Sequence, residues 1–226
     1  MEEEKSFFLI KSLKVETFLF PQKEGEEEMR PNLLSIKNIA KIAILAALSA
    51  VVMMFRFPLP FAPTFLDFDL AEVPSLIGAF AMGPLAGLII VVLKIVIKLL
   101  MNPSTTMMVG ELSNIVVNGT LVVVAGAYYK RNRTFKGAII AMVLSVIAMT
   151  TVATLSNYFV MFPFYSKLFG LEIDAIVNMG AKVNPLVNNY VTLMLFSIVP
   201  FNLVKGIITS VITTVLYPRI SPLLKR

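Results

Sequence analysis

The sequence has no cysteine, no histidine and no tryptophan, and charged residues make up only 15% of it. Without cysteine there is no disulfide and no thiol nucleophile. Without cysteine and histidine, a Cys/His zinc site, an imidazole base and Ser-His-Asp catalysis are excluded as well. No segment fits the Walker pattern G-x-x-x-x-G-K-[ST]. The absences argue against a soluble enzyme, and we predict no catalytic residue and no metal site.

Apolar residues supply most of what is present. They make up 57% of the chain, and the mean hydropathy is +0.82. Soluble domains carry about 25% charged residues, so most of this surface must face something other than water. A membrane-spanning helix needs about 20 residues. We therefore predict an all-α membrane protein, a bundle of six transmembrane helices, with no room for a second globular domain.

Prolines, glycines and charges set the expected boundaries of the spans. A proline-rich segment with Pro58, Pro60 and Pro63 follows the first span and cannot be a continuous helix. The next apolar run is too long for one crossing, and Gly83-Pro84 divides it. The predicted helices cover residues 36–55, 70–82, 84–101, 109–128, 136–160 and 189–217.

The distribution of charge predicts the orientation. Residues 1–28 carry four Lys and eight Glu, a net charge of −4, whereas the remainder has a net charge of +10. Beyond the tail, the positive residues cluster at predicted helix ends, which the positive-inside rule explains better than nucleic-acid binding. We predict a cytoplasmic and mobile tail over 1–35, a transmembrane domain over 36–218 and a basic cytoplasmic end over 219–226. Both termini are then cytoplasmic, in the plasma membrane of a prokaryote, and the loops 56–69 and 161–188 are external.

Two polar residues lie in the middle of the last predicted span. Asn202 and Lys205 are three residues apart and project from one face of the helix. Pro200 precedes them and frees a backbone carbonyl, as in the wall of a cavity. Because a charge inside a bilayer is costly, we favour a binding site. The alternative is a lysine that extends to the interface and an asparagine that joins two helices.

Other polar residues cluster toward the external ends of the spans. Lys94 and Lys98 either extend to the outer interface or pair with Glu111. Asn157 and Tyr158 either face the same cavity as Asn202 or serve helix packing.

The first external loop and the first span offer two further candidate surfaces. The loop carries Phe65 and Phe68 beside Asp67 and Asp69, which suits either a planar heteroaromatic ligand or an aromatic membrane belt. The first span carries small residues at helical spacing, which suit either a partner helix or internal packing. They are Ala43, Ala46, Ala47 and Ala50.

Five motifs together resemble a known family. They are FLDFDLAEVPSLIGAFAMGP (65–84), LK (93–94), VGELSN (109–114), SNYFVMFPFY (156–165) and PFNLVKG (200–206). With this set the chain resembles the substrate-binding S components of energy-coupling factor (ECF) vitamin transporters, specifically the riboflavin-specific RibU type. The acidic tail 1–28 has no counterpart in the family pattern, and Met29 is an alternative start.

The resemblance implies a ligand, a pocket and partners. Riboflavin would bind from outside between the first external loop and the last three spans. Asn202, Lys205 and Asn157 would contact it, with Tyr158 nearby. The loop residues closing the pocket would be Phe65, Leu66, Asp67, Phe68 and Asp69. The alanine face would dock on a membrane coupling (T) subunit driven by two cytoplasmic ATPases. Riboflavin is then a transported ligand and not a cofactor, and a single lysine also tolerates a phosphate, so FMN stays open as a ligand.

Three other functions stay open at this point. The same architecture could bind another vitamin, such as thiamine, biotin or a queuine-like base. An intramembrane enzyme would need paired acids or a metal site, and Glu111 is the only acid predicted well within a span after the first loop. A purely structural subunit would bind no small molecule.

Overall fold

The computed structural model describes residue 33 and residues 35–170 and 172–225, and this part of the chain is almost entirely helical. The predicted tail over 1–35 lies almost wholly outside the described residues. The helices are α1 (Ile36–Met54), α2 (Glu72–Met82), α3 (Pro84–Met101), α4 (Val109–Arg131), α5 (Phe135–Ser156), α6 (Phe162–Phe169), α7 (Ile173–Ala181), α8 (Tyr190–Leu193) and α9 (Val199–Lys225). Two π-helical segments, π1 (Asn157–Met161) and π2 (Met194–Ile198), join α5 to α6 and α8 to α9.

Within the described residues, five helical stretches are long and apolar enough to cross a membrane. They are Ile36–Met54, Pro84–Met101, Val109–Arg131, Phe135–Phe169 and Tyr190–Pro222. The sixth apolar helix, α2, has 11 residues. At 1.5 Å per residue it is about 16 Å long, roughly half the hydrocarbon thickness of a bilayer. Five of the six predicted spans therefore correspond to helices long enough to cross a membrane, and the sixth corresponds to a helix of about half that length.

The predicted break at Gly83-Pro84 is confirmed. Gly83 has φ +99°, a conformation that glycine adopts without the steric cost of a Cβ. Pro84 is the first residue of α3, where its missing N–H and fixed φ suit a helix start. The chain thus reverses in one residue, and α2 packs alongside α3.

The packing differs along the bundle. The main apolar core lies between α2, α4, α5 and α9, with Leu76, Leu121 and Met149 fully buried. At one end of this core Phe80 stacks on Tyr129 with ring centroids 4.3 Å apart. Tyr217 meets both of these rings edge-on.

The two ends of the described chain lie together. Lys41, near the start of α1, donates a hydrogen bond of 2.5 Å from Nζ to the carbonyl oxygen of Leu224, near the end of α9. Leu33 and Leu224 also pack against the same apolar cluster. The first described helix therefore begins at the end of the bundle where the last one finishes.

Replacing Gly87 by alanine should loosen the packing of α2, α3 and α4. A Cβ at Gly87 would lie 2.6 Å from the Cβ of Ala79 and would also strike Val122. Overpacking of this kind costs about 1–3 kcal/mol, more than the ~0.5–1 kcal/mol that alanine gains over glycine in a helix. We expect Gly87→Ala to lower the midpoint of thermal unfolding in detergent.

Gly119→Ala is the matched control. Its Cβ would meet only the flexible end of Leu88, at 3.1 Å. The gain in helix propensity is the same in both variants, so their difference isolates the overpacking. Equal midpoints for the two variants would contradict the assignment of Gly87 to a tight three-helix contact.

Candidate functional site

The proline-rich loop between α1 and α2 folds back over the bundle as a short β-hairpin. Its strands are β1 (Phe57–Pro58) and β2 (Asp67–Phe68), and Phe57 pairs with Phe68 in the antiparallel register. Phe68 is buried and packs in an apolar cluster with Phe201 of α9. Phe65 meets the ring of Phe162 edge-on, with centroids 5.6 Å apart. The hairpin therefore lies against the two helical stretches that follow π1 and π2.

A buried ion pair joins this loop to α9. The Nζ of Lys205 lies 3.1 Å from Oδ2 of Asp69, and both side chains are less than one-tenth exposed. Oδ1 of Asp69 accepts a hydrogen bond of 2.9 Å from the backbone N–H of Ala71. Burial raises the pKa of Asp69, but the charges of Lys205 and Lys94 and these hydrogen bonds outweigh burial and lower it below its usual value. The carboxylate is therefore ionised at neutral pH.

A second buried ion pair lies next to the first. Lys94 of α3 contacts Oε1 of Glu72 at the start of α2, and neither side chain is exposed. The interpretation that Lys94 extends to the outer interface is therefore wrong. Glu72 also lies within electrostatic reach of Lys205, so Asp69, Glu72, Lys94 and Lys205 form one cluster of four charges. The Oε2 atom of Glu72 is buried and has no hydrogen-bond partner.

A third ion pair joins α3 to α4. The Nζ of Lys98 donates to Oε1 of Glu111 over 2.6 Å, which confirms the predicted pairing of Glu111 with one of the two lysines. Oε2 of Glu111 accepts hydrogen bonds from Ser104 at 2.8 Å and Thr106 at 3.0 Å. Glu111 therefore also organises the connection between the two helices.

The predicted site residues of the fifth span lie at π1. A π-helix widens the turn and leaves backbone carbonyls without their usual partner. Here the hydroxyl of Tyr190 donates to the carbonyl oxygens of Tyr158, at 2.7 Å, and Asn157, at 3.2 Å. The rings of Tyr158 and Tyr190 are stacked at 4.7 Å. The side-chain amide of Asn157 donates to the carbonyl oxygen of Ala153 at 2.7 Å.

Asn202 binds a backbone carbonyl oxygen of π2 through its side-chain amide. It is buried, and its amide donates to the carbonyl oxygen of Ile198, the last residue of π2, at 2.8 Å. This bond uses one of the two N–H donors of the amide. Asn202 and Lys205 thus lie on one buried face of α9, directly after irregular backbone.

The structure brings most of the predicted loop residues to this region. Phe68 and Asp69 are buried beside α9, and Leu66 packs against the apolar cluster that includes Phe162 and Ile198. Asp67 differs, because it is exposed and its carboxylate lies 3.7 Å from Arg56 on the surface. Phe65 is more than one-third exposed.

The alanine residues of α1 are divided between two faces. Ala46 and Ala50 are completely buried against the bundle, which is the internal-packing alternative. They are therefore not available to a partner. Ala43 and Ala47 are exposed on the outer face of α1.

Two residues of the region were missed by the sequence reasoning, namely Glu72 and Tyr190. Glu72 falls in the predicted helix 70–82 but was not predicted as a site residue. Glu72 and Lys94 are equally far in sequence from Gly83, which places them at one level of the α2–α3 pair. That symmetry was an available signal. The role of Tyr190 depends on π1, for which the sequence carries no clear signal.

A separate apolar pocket of about 320 Å³ opens between α3, α4 and the stretch from π1 into α6. It contains none of the predicted ligand-contact residues. Its lining residues are Ile95, Met107, Met108, Val109, Glu111, Leu112, Ile115, Val160, Met161 and Phe164.

Comparisons with known proteins agree on one family. The family model described as "ECF transporter, substrate-specific component" matches residues 37–217. The chain is 32% identical to "Riboflavin transporter RibU" of Staphylococcus aureus (strain TCH60), over 86% of this chain and 96% of the relative. It is 27% identical to "Riboflavin transporter FmnP" of Bacillus subtilis (strain 168), over 84% of this chain and 94% of that relative.

A solved structure gives the same result. It is described as "Structure and mechanism of the S component of a bacterial ECF transporter" and superposes with a TM-score of 0.64 at 31% identity. The superposition covers 83% of this chain and 97% of the other.

Removing one charge of the Glu72–Lys94 pair should lower the stability of the protein far more than removing both charges. Lys94→Met leaves a buried carboxylate without its cation, which costs about 3–5 kcal/mol. We expect a large fall in the thermal midpoint in detergent for Lys94→Met. The double variant Lys94→Met with Glu72→Gln should recover at least half of that fall.

Arg56→Met is the control for this experiment. It breaks the Arg56–Asp67 pair, whose side chains are 33% and 45% exposed, and exposed pairs contribute little. No measurable change is expected. A double variant no more stable than Lys94→Met alone would refute the charge argument.

Proposed function

Because the chain belongs to the substrate-specific component family of ECF transporters, we propose that its function is riboflavin uptake and that it is not an enzyme. The relatives named riboflavin transporters align along nearly the whole of their length. The observation that carries the proposal is the placement of Asn202 and Lys205, which share a buried face of α9 beneath the folded hairpin.

The chemistry of this region suits riboflavin. The vitamin is uncharged, with a flat apolar ring system that carries carbonyls and an imide N–H. Aromatic rings around π1 and the hairpin, including Phe65, Tyr158 and Phe162, offer flat apolar surface. Asn157 and Asn202 can both donate and accept hydrogen bonds, and Lys205 can donate to a hydroxyl or carbonyl oxygen. We place the vitamin between the hairpin and the outer parts of the last three spans.

The orientation follows from charge and from the short helix. The helices α2 and α3 run in opposite directions through the bundle. Counted as two segments, they bring the total to six membrane segments, which is an even number of passes. The end where α1 begins and α9 finishes carries Lys37, Lys41 and Arg219, which the positive-inside rule assigns to the cytoplasm. The hairpin then faces outward, in the plasma membrane of a prokaryote.

The family architecture also requires partners. We propose that a membrane coupling subunit and two cytoplasmic ATPases drive uptake, since no Walker motif is present in the chain. The docking face would be the exposed pair Ala43 and Ala47, whose small side chains let another helix approach closely.

The ligand assignment is tested by the visible absorption spectrum of protein purified in detergent. We expect flavin absorption that persists through gel filtration and is released on denaturation. Asn202→Ala and Lys205→Ala should each weaken riboflavin affinity by about tenfold to a hundredfold, as expected for the loss of a buried hydrogen bond to the ligand.

Asn188→Ala and Lys182→Ala are the matched controls, because both residues are exposed in the connection between α7 and α8. They should leave riboflavin affinity unchanged. A colourless protein that also fails to quench riboflavin fluorescence would refute riboflavin as the ligand, and a screen of thiamine and biotin would follow.

The docking face is tested by separating binding from uptake. Ala47→Trp places a large side chain on the proposed contact, so riboflavin uptake by whole cells should fall at least about tenfold. Riboflavin binding in detergent should be retained, since Ala47 points away from the bundle.

Ile147→Trp serves as the control. Ile147 is 55% exposed on α5, away from the proposed contact, and its replacement should leave uptake intact. Uptake that survives Ala47→Trp, or that falls equally with Ile147→Trp, would refute α1 as the docking helix.

A further inference from the structure

We propose that Asp69 is a specificity-determining residue that makes the binding site select uncharged flavins over phosphorylated ones. The inference rests on the proposed riboflavin function and adds to it the physical basis of discrimination against FMN, the flavin that carries a phosphate on the same side chain.

The charges buried in the described part of the chain balance. They comprise three lysines and three acids. Each lysine is paired with one acid. The pairs are Lys205 with Asp69, Lys94 with Glu72, and Lys98 with Glu111. The bundle therefore holds no buried cation, among the residues described, whose charge is left over for a ligand.

The balance is most direct at Lys205, the lysine proposed to contact the ligand. Its ammonium group lies 3.1 Å from the carboxylate of Asp69 and also within electrostatic reach of Glu72. The charge of Lys205 is therefore already balanced by Asp69, and Glu72 is in turn paired with Lys94. An anion that approaches Lys205 meets a neutral ion pair and not the attraction of a lone lysine.

Asp69 is also held in place. One carboxylate oxygen is bound by Lys205 and the other by the N–H of Ala71. The carbonyl oxygen of Ala71 in turn accepts a hydrogen bond from Ser49 of α1. The backbone next to Asp69 is thus tied to α1, and the carboxylate cannot turn away from Lys205 without breaking its two buried hydrogen bonds.

This arrangement separates the two flavins by charge. A phosphate monoester carries about −1.5 to −2 charges at pH 7, and a charge can be buried only with a partner. Riboflavin brings no charge and needs only hydrogen bonds, which an ion-paired lysine still donates. The expectation from sequence that a single lysine would tolerate a phosphate did not include Asp69, which already neutralises that lysine.

The first test compares riboflavin and FMN binding to flavin-free protein in detergent, by quenching of flavin fluorescence. Asp69→Asn removes the carboxylate and leaves Lys205 with an uncompensated charge. We expect the ratio Kd(FMN)/Kd(riboflavin) to exceed one for the wild type and to fall about tenfold or more in Asp69→Asn.

Asp174→Asn is the matched control, because Asp174 is an exposed acid on α7. The same substitution there changes the net charge of the protein equally and should leave the ratio unchanged. A ratio that is unchanged in Asp69→Asn, or that falls equally in Asp174→Asn, would overturn the proposal.

The second test uses the wild-type protein and does not depend on the folding of a variant. The phosphate of FMN takes its second charge with a pKa near 6, whereas the chain has no histidine or cysteine, the side chains that ordinarily titrate near neutrality. From pH 5.5 to 7.5, FMN affinity should fall about threefold or more while riboflavin affinity stays constant.

FMN affinity that is constant or increases over this pH range would overturn the proposal, because it would show a site that accepts the dianion. Wild-type protein that binds neither flavin at any pH would instead refute the proposed function. The failure of the selectivity argument and the failure of the riboflavin assignment therefore give different results.

Discussion

A charge buried in a low-dielectric bundle must have a counter-charge, and the half of this protein that contains the hairpin is organised by that constraint. Three ion pairs each join two different elements of the chain. Asp69 and Lys205 join the first loop to α9, Glu72 and Lys94 join α2 to α3, and Lys98 and Glu111 join α3 to α4. The other half of the bundle is held together by apolar packing, with three stacked and edge-on aromatic rings at its end.

Irregular backbone is concentrated in the same half of the molecule. The hairpin, π1 and π2 all lie near the proposed site. Each contains backbone N–H or carbonyl groups that a regular helix would use for its own hydrogen bonds. Tyr190 satisfies two carbonyl oxygens at π1, and Asn202 satisfies the carbonyl oxygen at the end of π2. Side chains that look like ligand contacts thus also stabilise the widened turns that position them.

The helix α1 connects the site with the proposed docking face. On its buried side Ser49 donates a hydrogen bond to Ala71, which in turn holds Asp69. On its exposed side Ala43 and Ala47 present small side chains to the membrane. One helix therefore contacts the loop that covers the site and offers the surface that a coupling subunit would meet. Because α1 is a rigid helix that makes both contacts, it can couple the ligand site to the proposed partner.

The sequence by itself determined the class of the protein, the breaks at the proline-rich loop and Gly83-Pro84, and Asn202 and Lys205 as a pair on one helix face. It also determined where every long helix begins, although the last two helical stretches extend eight or nine residues beyond their predicted ends. These follow from local rules, since apolar length, proline, glycine and helical periodicity act over a few residues. It also narrowed the partner of Glu111 to two lysines one turn apart.

Only the tertiary structure decided which charged side chains form ion pairs with each other. Asp69 and Lys205 are 136 residues apart in sequence, and no local pattern selects Asp69 over the exposed Asp67 as the partner. The same is true of the four alanines of α1, which share one spacing but divide into a buried and an exposed pair because only the neighbouring helices define the inward face. The segment π1 was likewise not predicted, since the carbonyl oxygens of its widened turn are bound by a tyrosine hydroxyl that another span supplies. Contacts over long sequence separation are set by the packing of whole helices, and that packing is where the charge balance of the site was decided.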